Sequence, residues 1–159
     1  MRVVSALVEG TSAGPLALRR GFLATPDVPR QGRLIVEAQT LQWELPQSTV
    51  DDAVLVASEL LTNAVRATPN APISLRLALV EEGLRIGVWD SSQERPKTSA
   101  PDLRMPTQRI PDNASDPGGW GLGIIASLSK YYGCRPEHEG KCVWAVLDIE
   151  PPHENDIPS

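Results

Sequence analysis

The feature that most constrains the fold is a long helical pattern followed directly by two alternating strands. Apolar residues recur at helical spacing from the cap signal Gln47-Ser48 to Ala67, and residues 68–72 contain two prolines that end the pattern. Residues 73–79 and 84–89 then alternate apolar with polar or small side chains, and the Glu81-Glu82-Gly83 segment between them is typical of a hairpin turn. This order predicts an antiparallel sheet with one apolar face covered by helices.

The long helix is predicted to bury one stripe of its surface and to carry two acidic residues, Asp51 and Asp52, in its first turn. The predicted buried stripe is Val50, Val54, Ala57, Leu61, Ala64 and Val65.

The remaining elements extend this arrangement on both sides. Residues 2–8 are consistent with a short strand, and residues 16–23 with an edge strand, because Arg19, Arg20 and Gly21 interrupt its apolar pattern. A helix is predicted over about residues 30–43, another over residues 121–132, and a last strand over residues 141–149. The first of these helices is predicted to bury Leu34, Ile35, Ala38 and Leu41, and Gly133 is a candidate terminator of the second. The whole order predicts an α+β two-layer sandwich, with a mixed, mainly antiparallel sheet and helices on one face.

The length of 159 residues is most simply accounted for by one domain. We assign it to residues 16–150, with an N-terminal segment of residues 1–15 before it and a polar tail of residues 151–159, expected to be disordered, after it. Residues 91–118 have little periodicity and five prolines, so a long loop is predicted there.

Composition excludes several classes of function. The net charge of −5 and a pI near 5.0 argue against direct nucleic-acid binding, which needs a basic face. No run approaches the ~18 apolar residues of a membrane span, and the apolar start is too short for a signal peptide, so we expect a cytoplasmic protein with no membrane association. Cys134 and Cys142 are then expected to be reduced thiols, and neither has a metal-type spacing with a histidine.

Three polar residues fall on one side of the long helix. Glu59 and Asn63 are four positions apart, which places their side chains ~40° apart around the helix axis, and Arg66 follows one turn later. A carboxamide oxygen suits Mg²⁺, a carboxylate one turn away can accept a proton from a nucleophile, and a guanidinium can neutralise phosphate. Taken alone, this pattern is more often a solvated helix face.

Two later segments add nucleotide chemistry. Asp90 ends a strand, where a carboxylate can accept a hydrogen bond from the adenine amino group and discriminate against guanine. Taken alone, an Asp at this place is more often a turn-starting residue, with Ser91 and Ser92 as ordinary turn residues. Glycines at 118, 119, 121 and 123 precede or open an apolar helix whose amides can meet phosphates. The glycine pattern matches neither a P-loop nor a dinucleotide fingerprint, and alone it also fits a flexible loop.

In this order the segments resemble the histidine-kinase-like ATP-binding domain, a family that also contains gyrase-type ATPases and anti-sigma serine kinases. Residues 58–66, Ser-Glu-Leu-Leu-Thr-Asn-Ala-Val-Arg, look like its N box. Asp90-Ser91-Ser92 looks like the first glycine box with Ser in place of Gly, and residues 119–124, Gly-Trp-Gly-Leu-Gly-Ile, look like the second. Residues 140–144 resemble the terminal strand, so the resemblance covers about residues 22–149.

The resemblance implies a Bergerat-type fold that binds ATP and Mg²⁺, with residues 91–118 as an ATP lid. Asn63 would bind Mg²⁺, Asp90 would contact adenine with Ser92 in the same box, and Glu59 would be the general base of a serine kinase. The remaining cofactor-binding residues implied by the boxes are Arg66, Gly119, Gly121, Leu122, Gly123 and Cys142.

Three departures from the family pattern bear on turnover more than on fold. Ala67 stands where many relatives have His, and Ser replaces Gly in the first glycine box. Cys142 replaces a common Thr that often helps to hold the adenine-binding Asp through water, and a thiol is a weaker hydrogen-bond partner than a hydroxyl.

The sequence leaves several functions open. A chain of this size resembles the anti-sigma regulatory kinases, which implies phosphoryl transfer to a Ser or Thr of an anti-sigma antagonist, binding of a sigma factor, and homodimerisation in many members. With few residues before the domain and neither His placed as a phospho-acceptor, we do not expect the helix pair of a sensor histidine kinase, and we do not expect the transducing domain of a gyrase-like enzyme. The alternative is a catalytically weak or inactive nucleotide-gated module that sequesters a partner, and a third interpretation is an ATPase acting on a small molecule.

Overall fold

A computed structural model describes residues 16–93 and 122–149, which form five strands and three helices. The elements in chain order are β1 (Ala17–Leu23), α1 (Val28–Gln42), α2 (Gln47–Ala67), β2 (Pro72–Val80), β3 (Gly83–Asp90), α3 (Leu122–Leu128), β4 (Tyr131–Glu137) and β5 (Gly140–Leu147). The strands form one sheet in the order β1-β2-β3-β5-β4, and every described pairing is antiparallel. The α+β architecture with an open, antiparallel sheet is therefore confirmed.

The core lies between one face of the sheet and the helices. Helix α2 packs on the central strands β3 and β5, α1 packs on α2, and α3 contacts α2. Alternation sends every second strand residue into this core, including Leu75 and Leu77 of β2, Ile86 of β3 and Ala145 of β5, all no more than 1% exposed. The predicted stripe of α2 is largely confirmed, since Val50, Ala57, Leu61 and Ala64 are buried.

The predicted inner face of α1 was wrong for Leu34, Ala38 and Leu41, which are exposed, and right for Ile35, which packs against the core. Leu34 is 63% exposed and Leu41 is 47% exposed, whereas the buried positions are Val28, Gly32, Val36 and Thr40. The physical reason is close packing between helices, because a Cβ on Gly32 would collide with Leu61 of α2. Glycine at position 32 lets α1 approach α2 with Leu61 in its present position, and with Gly32 toward α2 the leucines at 34 and 41 face away from it. The helix also begins two residues before the predicted start, with proline in its first turn, where a missing N–H costs nothing.

The start of α2 needs a smaller correction. The N-cap residue is Pro46, and no side chain caps the helix, so the cap predicted at Gln47-Ser48 is not formed. Asp51 therefore lies beyond the first turn, where its Oδ1 accepts a hydrogen bond from Gln47 Nε2 at 2.9 Å.

The C-terminal third contains a strand that the sequence pattern did not predict. Helix α3 ends at Leu128 instead of continuing to residue 132, and β4 follows as an edge strand that tolerates Pro136. The turn from β4 to β5 consists of His138 and Glu139, with φ values of 47° and 64°. Two non-glycine residues with positive φ are not a recognisable hairpin signal, and this is why β4 was missed.

The remaining predictions concern the first strand, three segments of the chain and membrane-spanning helices. The edge position predicted for the first strand is confirmed by β1. The predictions for residues 2–8, 94–118 and 151–159 lie outside the described residues. Across residues 16–93 and 122–149, none of the helices combines the length and the hydropathy needed to cross a bilayer.

Candidate functional site

The candidate site lies at the end of the sheet where β3 finishes. Asp90, the last residue of β3, is directly opposite Lys141 near the start of β5. Ser74, near the start of β2, is opposite Trp89, so the beginning of β2 belongs to the same end. Because α2 ends five residues before β2 begins, its C-terminal half approaches this end as well. The topology therefore brings the N-box helix and Asp90 to one side of the fold.

The polar residues of α2 differ in burial. Asn63 is only 5% exposed, Glu59 one turn earlier is half-buried, and Arg66 in the last turn is exposed. Ser58, also buried, accepts a hydrogen bond from Arg33 Nη1 of α1 at 3.1 Å, which ties the two helices together beside Glu59. The carboxamide of Asn63 is thus held in the interior, while the carboxylate of Glu59 remains accessible.

Asp90 is held on both carboxylate oxygens. Lys141 Nζ lies 2.9 Å from Oδ1 and 3.0 Å from Oδ2, and the backbone N–H of Ser92 donates to Oδ1 at 2.8 Å. The Ser92 contact is an Asx turn, so the turn-starting role considered for Asp90 is real. These two donor groups make three contacts, which use three of roughly four acceptor positions of the carboxylate, so among residues 16–93 and 122–149 one position on Oδ2 has no donor.

Lys141 is the site residue that sequence reasoning missed. Its side chain is 2% exposed and that of Asp90 is 3% exposed, which makes this a buried ion pair. Two buried charges are tolerated only when they are paired and hydrogen-bonded, as they are here. The signal that could have found Lys141 is strand alternation: it shares a face with Val143, Ala145 and Leu147, which are all buried in the core.

Cys142 lies on the other face of the sheet. A Cβ on Gly87 would be 3.1 Å from Cys142 Sγ, and both residues line, together with arginines, the sheet face on which none of the described helices packs. Alternation places Lys141, and not Cys142, beside Asp90, so the structure does not bring Cys142 to the carboxylate that it was expected to help hold.

Burial also makes Cys142 a poor nucleophile. Burial raises the pKa of its thiol above the ordinary value, and both cysteines are buried and unbonded to each other. At pH 8 the thiols should react with a disulfide reagent at least about tenfold more slowly in the native protein than in guanidinium, because little thiolate is present or accessible. Cys142→Ser should reduce the thiol count of the unfolded protein to one. Rapid native labelling mapped to Cys142 would contradict this placement.

The glycine-containing segment of residues 118–123 lies only partly within the described residues. Gly119 and Gly121 lie outside the described residues; Leu122 is the first residue of α3, and Gly123 follows it in the same helix. A Cβ added to Gly123 would meet nothing within 4 Å, so the described structure places no steric demand for glycine there.

Metal binding by protein groups alone has no support in the described part of the chain. Over residues 16–93 and 122–149, no group of three or more His, Cys, Asp or Glu side chains is placed to hold an ion. The donor set here is a single buried carboxamide, which matches a Mg²⁺ ion that keeps its waters and shares phosphate oxygens rather than one enclosed by carboxylates.

Comparison with known proteins identifies the family of the chain. The sequence profile of the histidine kinase-like ATPase domain matches residues 22–147, a range that includes Glu59, Asn63, Asp90 and Lys141. The chain is also 32% identical over 139 residues to a sensor histidine kinase, Hik2, of Thermosynechococcus vestitus (strain NIES-2133 / IAM M-273 / BP-1). That alignment covers 79% of this chain but 36% of the relative, so the chain spans about a third of the length of that kinase. The chain belongs to the histidine kinase-like ATPase domain family.

Proposed function

We propose that this protein binds ATP with Mg²⁺ between α2 and the Asp90 end of the sheet, and that it acts as a regulatory protein kinase of the anti-sigma type. The observation that carries the proposal is the joint placement of Asn63, buried on α2, and Asp90, fixed at the end of β3 with one acceptor position left. Because the chain belongs to a family of ATPase domains, ATP is the ligand that we propose for this pair. The partners in this proposal are a sigma factor, an anti-sigma antagonist, or both.

Each residue of the proposed site has a separate role. Asp90 Oδ2 accepts a hydrogen bond from the adenine amino group, and Lys141 holds the carboxylate in place for it. Asn63 provides the carboxamide oxygen for Mg²⁺, and the guanidinium of Arg66, exposed in the last turn of α2, contributes positive charge near the phosphates. Glu59, being accessible, takes the proton of an incoming serine or threonine hydroxyl. ATP, when bound, supplies the phosphoryl group that this hydroxyl receives.

A second function is favoured by one observation. Asp90 is already neutralised by Lys141 and is almost fully buried, so base binding must compete for a carboxylate that has a strong partner. That arrangement would suit a catalytically weak, nucleotide-gated module that sequesters its partner without modifying it.

The two functions are separated by binding and transfer measured on the same variants. Calorimetry with ATP and Mg²⁺ should show Asn63→Ala weakening binding by at least about tenfold, since a metal-ligating group is lost. Glu59→Ala should bind nearly normally but lose phosphoryl transfer to a co-purifying antagonist by ~10²-fold or more, the size of a general-base contribution.

Matched controls are available on α1. Gln42→Ala removes an exposed carboxamide and Glu37→Ala an exposed carboxylate, and neither should change binding or transfer. Normal ATP binding without transfer in the wild type would select the sequestering module. No binding at millimolar ATP would reject a nucleotide-dependent role altogether.

A further inference from the structure

The sheet face opposite the helices carries a concentration of arginine and tryptophan. Residues directly opposite one another share a face, and the register places Arg19, Arg76, Gly87, Trp144 and Gly133 in one row across all five strands. The adjacent rows add Arg85 on one side, and Trp89, Cys142 and Arg135 on the other. We call the surface formed by Arg19, Arg76, Arg85 and Arg135 the arginine face.

The arginine face is hollow, because its centre is built from small residues. Gly87 lies under Cys142, and Trp144 lies flat over Gly133, where a Cβ would approach its ring to 2.8 Å. The resulting depression has a volume of about 470 Å³ and is lined by all four arginines. None of the described helices covers it, since α1, α2 and α3 all pack on the opposite side.

Among the described residues, one of the four arginines on this face forms an ion pair with a carboxylate. Arg76 pairs with Glu137 at 2.9 Å, and this hydrogen bond lowers the pKa of Glu137 and keeps it ionised. Arg85 lies over the Trp144 ring at 5.5 Å. Within residues 16–93 and 122–149, Arg19, Arg85 and Arg135 form no ion pair with a carboxylate. This excess contrasts with a chain whose net charge is −5.

The width of the sheet indicates the length of a ligand that crosses the whole face. Arg19 and Arg135 lie on the two edge strands, whose backbones are four strand spacings, or about 19 Å, apart. An extended peptide crosses from one edge strand to the other with about six residues, and the four arginines that line the depression face its middle. Arginine with half-buried tryptophan is also the composition of protein-binding hot spots.

We propose that the arginine face docks an extended acidic segment of a partner protein, with carboxylates on Arg19, Arg85 and Arg135 and apolar contact at Trp144. The docked segment lies on the side of the sheet away from Asn63, so it can be held with or without nucleotide. The proposal therefore does not depend on ATP binding, and a failure of either leaves the other standing.

The test uses a rhodamine-labelled hexaglutamate peptide and fluorescence anisotropy. Arg85→Glu/Arg135→Glu should weaken binding by at least about tenfold, because two attractive contacts become repulsive. The control Arg20→Glu/Arg30→Glu has the same net charge but changes exposed arginines outside this face, and it should stay within about twofold of wild type. If both variants lose binding equally, the attraction is general and the proposal is wrong.

Two further ligands test whether the arginine face binds nucleic acid or small anions instead of an acidic peptide. Hexathymidylate binding more tightly than hexaglutamate, with the same loss in Arg85→Glu/Arg135→Glu, would identify a nucleic-acid face instead. Tripolyphosphate competing at equal concentration would identify a small-anion site. Thermal unfolding shows whether each variant is folded. If Arg85→Glu/Arg135→Glu does not fold, Arg85→Gln/Arg135→Gln takes its place and should also weaken hexaglutamate binding. Undiminished binding by the glutamine variant would overturn the proposal.

Discussion

Replacing Asp90 with alanine should destabilise the protein by about 3–5 kcal/mol, the cost of leaving one member of a buried ion pair without its partner. Lys141 is 2% exposed, and its Nζ directs hydrogen bonds to both carboxylate oxygens of Asp90. Without the carboxylate, the buried ammonium loses two hydrogen bonds and the opposite charge of Asp90, or it is displaced toward water at the expense of core packing. Denaturant unfolding measures the change directly.

The double variant Asp90→Ala/Lys141→Met separates loss of the pair from loss of packing. Methionine retains most of the aliphatic volume of lysine without its charge, so this variant should recover most of the lost stability. Nucleotide binding should not recover with it, since the acceptor for the base is still missing. Asp51→Ala, which removes an exposed carboxylate, should stay within about 0.5 kcal/mol of wild type. A small effect of Asp90→Ala would mean that Lys141 is not confined as described.

Gly140→Ala should be the other strongly disruptive substitution. A Cβ at this position would collide with the backbone carbonyl oxygen of Asp90 and lie 2.9 Å from Ser91 Cα. Because the obstacle is backbone and not a flexible side chain, the strands must separate, and we expect a loss of ~3 kcal/mol or more, the upper end for overpacking. The same displacement moves Asp90, so ATP affinity should fall together with stability.

Gly123→Ala is the matched control for stability. Gly123 lies in α3 with open space around its Cα, and alanine there should be neutral or stabilising by about 0.5–1 kcal/mol. Comparing the two melting temperatures separates a steric requirement from a general effect of adding a methyl group. Equal effects at both glycines would contradict the close approach of Gly140 to Asp90.

Much of the fold could be predicted locally. The helix Gln47–Ala67, the hairpin of β2 and β3 and the edge strand β1 all have periodicities that match their burial. The predictions failed where a distant contact overrode the local pattern. On α1, the approach of Gly32 to Leu61 determined which face was buried, although the spacing of Leu34 and Leu41 suggested another. At β4, strand pairing stabilised a turn of His138 and Glu139 that has no local signal.

In the candidate site too, the sequence pattern identifies some residues, and only the tertiary structure shows how they are arranged. Glu59, Asn63 and Asp90 were identifiable because their chemistry and order follow a recognisable pattern along the chain. The burial of Asp90 and the presence of Lys141 beside it follow from strand register, which joins residues 51 positions apart, and the burial of Asn63 follows from the packing of α2 on the sheet. Register likewise sent Cys142 to the opposite face, where it lines the hollow of the arginine face.

The amino-acid sequence alone determined the helices and strands with strong periodicity, the α+β class and the chemical character of the site, because these depend on spacing within short segments. Only the tertiary structure decided which side chains share a face and which charges neutralise one another. Those outcomes depend on how distant strands and helices pack, and a shift of register by one residue would exchange Lys141 for Cys142 at Asp90.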